Sequence, residues 1–187
     1  MIRSPIFLVL LPLFVTTSTL RADDGAINSC ELGAWSIDTD PAGTNVRAGP
    51  GTNHGIIGRL PPQLKTEGYA FGAEISITGS ADGWLRIDKG VMEDYVAGTT
   101  TVAFDGEGWV SARLFTFSVE GNFLRSAPSS DAAPVVDLYS GGGSDFFATE
   151  RILSCQGRWA EVEGSFQNQR YRGWTDDTCS NQVTTCP

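Results

Sequence analysis

Three short motifs occur twice along the chain, in the same order. The stretch NVRAGPGTN (residues 45–53) has a weaker echo in FLRSAPSSD, placing Arg47 over Arg125 and Pro50 over Pro128. ADGWLRI is echoed by CQGRWAEV, with Trp84 over Trp159, and GEGWVSA by YRGWTDD, with Trp109 over Trp174. The order Arg-x-x-Pro, Trp, Gly-Trp thus runs through twice, at offsets of 78, 75 and 65 (125 − 47, 159 − 84, 174 − 109). Repetition of this kind restricts the chain to two similar units in tandem. Shrinking offsets mean that connections differ in length while strands keep their sequence, as surface loops allow.

The repeated segments are short and rich in β-branched and aromatic residues: EISITG, WLRI, GEGWVSA, LFTFSVEG, PVVDLY, RILSC, RWAEVEG and YRGWTDD. Gly, Pro, Asn, Asp or Ser bounds each of them, and helical periodicity is almost absent after the first 22 residues, so the expectation is an all-β protein of short strands. In NVRAGPGTN, Gly49 and Gly51 read as turn positions where a Cβ would obstruct the backbone, with Pro50 fixing φ between them. A phosphate loop would need a Lys and a following helix, and this stretch has neither. DTDPAGTN, from Asp38, begins like a calcium loop, but Ala42 and Gly49 stand where oxygen ligands are required.

On these residues the first unit resembles the bacterial SH3-like domain family, whose signature N-V-R-x-G-P-G-T is followed by a G-W-x-x-V strand and a G-W-V strand. Asn45 to Thr52, Gly83 to Ile87 and Gly108 to Val110 match it in order. The resemblance covers residues 35–118, with an unusually long insert at 89–105. A divergent second copy covers 119–180, with Ala127 and Ser129 in place of the turn glycines, and a tail follows at 181–187. It implies two tandem small SH3-like barrels of antiparallel strands. It further implies an exported, non-catalytic module of the bacterial envelope that recognises peptidoglycan or a cell-wall peptide. The alternative is an envelope adaptor or inhibitor acting through protein contacts of the inter-barrel surface.

The N-terminus fits export: Arg3, an apolar run from Ile6 to Val15, and Leu20-Arg21-Ala22 read as a signal peptide over residues 1–22. A periplasmic or secreted location follows, with no membrane insertion after cleavage. Cys30, Cys155, Cys179 and Cys186 then read as two disulfides rather than a metal site, since there is one His and no C-x-x-C. The expected pairing is Cys155 with Cys179, inside the second copy, and Cys30 with Cys186; Cys30 with Cys179 is the runner-up. A formal net charge of −9 without any basic cluster argues against nucleic acid as a partner.

Catalytic chemistry finds little support. His54, the single imidazole, sits between Asn53 and Gly55 in a turn. Glu161 and Glu163 alternate along one strand and so share a solvent-facing side, the arrangement of a charged surface rather than of an acid and base across a cleft. No catalytic residue, cofactor or metal is expected. Trp84, Trp109, Trp159 and Trp174 are read as residues of two small cores. Tyr95 and Phe104 in the insert, Tyr139 beside the Gly-rich loop, and Trp84 form the candidate ligand-binding set, on the ground that flat apolar faces with a polar edge dominate sugar and peptide contacts. Phe146 and Phe147 share that loop, which either presents a groove or folds down over the neighbouring unit.

Overall fold

Alternation shapes the strands: from Trp159 to Phe166 every second residue is buried, which puts Ala160, Val162, Gly164 and Phe166 on one face. The computed structural model describes residues 26–66 and 68–183 of the 187-residue chain. Sixteen strands follow one another: β1 (Asn28–Ser36), β2 (Thr44–Arg47), β3 (Ile56–Leu60), β4 (Leu64–Thr66), β5 (Tyr69–Phe71), β6 (Glu74–Ala81), β7 (Trp84–Asp94) and β8 (Thr99–Ser111) come first. After a 3-10 turn at Ala112–Leu114 come β9 (Phe115–Thr116), β10 (Ser118–Val119), β11 (Phe123–Arg125) and β12 (Pro134–Asp137). A second 3-10 turn, Ser144–Phe146, precedes β13 (Ala148–Gln156), β14 (Trp159–Phe166), β15 (Gln169–Thr175) and β16 (Thr178–Cys179). The protein is all-β and its strand pairs are antiparallel.

The larger sheet runs β3-β2-β8-β7-β6-β1-β9 and the smaller β12-β11-β15-β14-β13. Stripped of β1 and β9, the first has the order of the second. Register agrees residue by residue. Arg47 lies opposite Trp109 and Arg125 opposite Trp174; Leu85 faces Val110 and Ala160 faces Thr175; a bulge falls between Ile77 and Gly79 and again between Ile152 and Ser154. The end of β1 pairs with β9, as β10 pairs with β16.

The loop after each arginine is built from the same hydrogen bonds. Ala48 N–H donates to Gly55 O and Ser126 N–H to Ala133 O, both at 2.9 Å. The arginine guanidinium then donates to the loop carbonyl of His54 at 2.8 Å in one copy, and of Ala132 at 2.9 Å in the other. Neither Gly49 nor Gly51 has a positive φ, which corrects the expectation from sequence. Gly49 is required for space instead: a Cβ there would lie 2.5 Å from His54 Nδ1. In the second copy Ala132 replaces His54, no ring covers the turn, and Ala127 fits where Gly49 stands. Left-handed turns occur elsewhere, at Asp82-Gly83 (φ 49° and 77°) and Gln167-Asn168 (φ 49° and 63°), each closing a two-residue hairpin.

One continuous core joins the two patterns: Val46, Leu85, Ile87 and Val110 from the first, Phe115, Phe117 and Val119 from the crossing, Leu124, Leu138, Ile152 and Val162 from the second. Trp84, Trp159 and Trp174 are only partly buried and stand outside it, which corrects their reading as core residues. On β7, Leu85 and Ile87 turn inward, so Trp84 shares the outer face with Arg86. Trp109 is buried on that outer face, between Arg47 and Arg86 in register.

The observed disulfide joins Cys30 to Cys155, with Cα atoms 5.7 Å apart. This overturns the pairing of Cys155 with Cys179 inside the second copy, and with it both Cys30 with Cys186 and the runner-up, Cys30 with Cys179. The reason is the path of β1: Asn28 and Ser29 stay paired with β6, while the other edge of the strand, at the bulge that follows, reaches the β13–β14 turn, where Glu31 N–H donates to Gly157 O at 2.8 Å and Gly157 N–H to Ser29 O at 2.7 Å. Cys179 is also disulfide-bonded; Cys186 lies outside the described residues, as does the signal-peptide reading of residues 1–22.

Candidate functional site

The insert at 89–105 is not a separate loop. It is the outer half of the β7–β8 hairpin, in register from Lys89 opposite Asp105 to Asp94 opposite Thr99. Tyr95 lies in the tip, after Asp94 has bound the Val96 and Ala97 N–H groups at 3.0 and 2.9 Å. Its hydroxyl donates to Glu74 Oε1, and its ring meets Phe71 at 5.1 Å, tilted by 54°. Phe71 stacks on Tyr69 at 6.1 Å, and Tyr69 is 69% exposed. Two hairpin tips, β4–β5 and β7–β8, therefore build one aromatic tier that opens to solvent. Gln182, from the far end of the chain, locks it from behind: it accepts from Gly72 N–H at 2.8 Å and donates to Gly72 O at 2.9 Å and Glu74 Oε1 at 3.1 Å. Burial and the Glu74 carboxylate hold the Tyr95 phenol well above its ordinary pKa, so it keeps its proton.

Glu74 also lines a trough of about 390 Å³ with Ser76, Lys89, Glu93, Thr100 and Ser180. That trough shares Leu32, Gly33 and Ser76 with a larger open cleft of about 660 Å³. The cleft is walled by Glu31, Thr78 and Asp88 of the first pattern and by Arg158, Asp176 and Thr178 of the second. Arg158 is held in place by two hydrogen bonds to Asp176 O, at 3.3 and 3.1 Å. Together they form a polar groove between the two strand patterns that leads from the disulfide toward the aromatic tier. Its charged side chains are acidic in excess: Glu31, Glu74, Asp88, Glu93 and Asp176 against Lys89 and Arg158.

The other residues singled out from sequence lie apart from this site. Phe104 points down onto glycines, where a Cβ on Gly58 would stand 2.8 Å from its ring and one on Gly108 3.0 Å. It fills the floor of the hairpin and belongs with the packed residues. Trp84 begins β7, at the opposite end from Tyr95, roughly 30 Å away along an extended strand. Tyr139 is 74% exposed on the second pattern, beside the Gly-rich loop. In that loop Phe147 is buried and Phe146 is exposed, so one ring covers and the other projects. Sequence reasoning missed Tyr69, Phe71 and Glu74, although the YAF triplet carried an alternating aromatic signal. Nothing local marked Gln182.

The carboxylates examined for catalysis have structural partners. Glu161 receives Arg172 at 2.8 Å and Glu163 receives Arg151 at 2.7 Å, forming cross-strand ion pairs on the outer face. Arg151 beside it, with Arg170 and Arg172 nearby, holds Glu163 below the usual carboxylate range. Asp38 and Asp40 shape their own turn: Asp38 accepts from Asp40 N–H and from the Thr44 hydroxyl, Asp40 from Ala42 N–H. Compared with family models, curated proteins and solved structures, the chain matches none of them.

Proposed function

We propose that this chain is an exported, non-catalytic binding module of the bacterial envelope, and that its ligand is cell-wall peptidoglycan or a peptide derived from it, laid along the groove between the two strand patterns. The groove carries the reading. It is lined by hydroxyls, carboxylates and two cations from both patterns, and it leads to a flat, exposed aromatic face. Glycans and peptides need that combination, because their polar edges demand hydrogen-bond partners while their apolar faces stack on rings. We also propose that each pattern is an SH3-like barrel. The matched strand order, the 3-10 turn that interrupts the chain between β8 and β9, and the arginine-clamped NVRAGPGT loop support that assignment. The Cys30–Cys155 bond fits an oxidising compartment.

A second reading, an adaptor or inhibitor that grips a protein, draws on the edge strand β3, where Ile56 and Ile57 are both about half exposed. An uncovered apolar edge offers a strand-pairing surface. Co-sedimentation of residues 23–187 with purified sacculi separates the two. Saturable binding that Tyr69→Ala and Asp88→Asn weaken supports the groove. Protein that stays in the supernatant at micromolar concentration rejects it and favours a protein partner.

A further inference from the structure

We infer that the aromatic tier of Tyr69, Phe71 and Tyr95 receives a positively charged nitrogen of the ligand, a primary or quaternary ammonium, with Glu74 and Glu93 supplying the counter-charge. The inference rests on the groove reading and names the chemistry at one end of it. Aromatic rings attract cations through the negative potential over their faces. Tyr95 is the ring best prepared for this, because its hydroxyl donates to Glu74, and a phenol that shares its proton with a carboxylate is richer in electrons over the ring. Tyr69 is the accessible member of the stack.

Counter-charge lies beside the tier. Both the Tyr95 hydroxyl and the Gln182 amide use Glu74 Oε1, which leaves Oε2 without a hydrogen bond among the described residues. Glu93 stands in the same trough and, among the described residues, is hydrogen-bonded only to the Thr100 hydroxyl, at 2.8 Å. Lys89, the cation of that trough, lies opposite Asp105 in register. An anionic ligand group at the tier would meet two carboxylates against the single cation Lys89. A neutral one would leave those carboxylates idle.

The test is calorimetric titration of residues 23–187 with two oligosaccharides of one backbone, the glucosamine pentamer and the N-acetylglucosamine pentamer, which differ only in the ammonium groups. The expected result is roughly tenfold tighter binding of the glucosamine pentamer at low salt. That preference should shrink in 0.5 M NaCl and disappear in Tyr69→Ala and in Glu93→Gln. Tyr69 and Thr100, the partner of Glu93, are exposed, so both variants retain the fold. Equal affinities, a preference for the acetylated pentamer, or no binding of the glucosamine pentamer at millimolar concentration would each overturn the inference. Sedimentation with sacculi reports separately on the groove reading. Sacculi whose amines have been acetylated and that still bind undiminished sink the ammonium site while leaving the groove intact.

Discussion

Ser80 and Cys155 hold the same position in the two strand patterns, and they touch: Cys155 N–H donates to Ser80 Oγ at 3.0 Å, and that hydroxyl donates back to Cys155 O at 3.4 Å. Ser80 lies opposite Leu85 and Cys155 opposite Ala160, which are themselves equivalent. Like meets like, so β6 and β13 face each other as equivalent surfaces do in a two-fold contact. The first half of β1 crosses that contact, and the Cys30–Cys155 bond fixes it there. The groove between the patterns therefore depends on a covalent tie between the patterns rather than within one of them.

Removing that tie should act on the whole molecule. The bond spans 125 residues, and closing a loop of that length restricts the unfolded chain strongly. Cys30→Ser with Cys155→Ser is expected to lower stability by about 2–4 kcal/mol. In urea unfolding, the midpoint should fall for fluorescence probes of both halves together. A loss confined to the second half would contradict the shared core.

Gly108 and Gly173 stand at equivalent register positions, and each is crossed by an apolar residue of the strand paired beside it. A Cβ on Gly108 would enter the space of the Val46 methyl group, and one on Gly173 would lie 2.9 Å from Leu124 Cβ. Both Gly→Ala variants should cost about 1–3 kcal/mol through overpacking. Gly55→Ala, where the added methyl meets nothing within 4 Å, should change stability by less than about 0.5 kcal/mol. Thermal melts of the three variants check the contrast.

Phe104 and Tyr69 should part company under mutation. Phe104→Ala empties the glycine-lined floor of the hairpin and is expected to destabilise by about 2 kcal/mol, less than a fully buried ring. Tyr69→Ala removes a mostly exposed ring, so the melting temperature should hold while retention on sacculi falls. A Tyr69 variant that unfolds early would place the tier in the core instead.

Glu120 should make stability fall as pH rises through its titration. Burial, with Asp145 and Asp177 nearby, holds its carboxyl above the ordinary value in the folded protein. The native state therefore binds the proton more tightly than the unfolded chain, and the contribution present below the unfolded pKa is lost as pH climbs through the folded one. Glu120→Gln should be more stable than the parent at pH 7 and no different below the ordinary glutamate pKa. Melts at the two values decide this, and an unchanged difference would exclude the effect.

What the sequence determined by itself was local and periodic: alternation of apolar and polar residues, turn residues between runs, and the twice-repeated Arg, Trp and Gly-Trp. Those signals specify an all-β chain, because a strand's two faces are written in adjacent residues. They also placed Glu161 and Glu163 on one face, where the structure has them paired with arginines. The tryptophans show where local reading stops. Their repeated positions suggested two small cores, yet in a two-faced sheet the smaller Leu85 and Ile87 turn inward and the Trp84 indole lies on the other side.

Tertiary structure alone decided the rest. Gly49 needed space for the His54 ring rather than an unusual backbone angle. Cys155 found Cys30 because β1, still paired with β6 on one edge, meets the β13–β14 turn with the other. Tyr95 was visible as an exposed-loop aromatic, but Phe71, Glu74 and Gln182, which give it a purpose, come from three other segments. Gly72 and Gln182 are 110 residues apart and share two hydrogen bonds. Such contacts obey packing and polar satisfaction in three dimensions, and no periodicity along the chain encodes them.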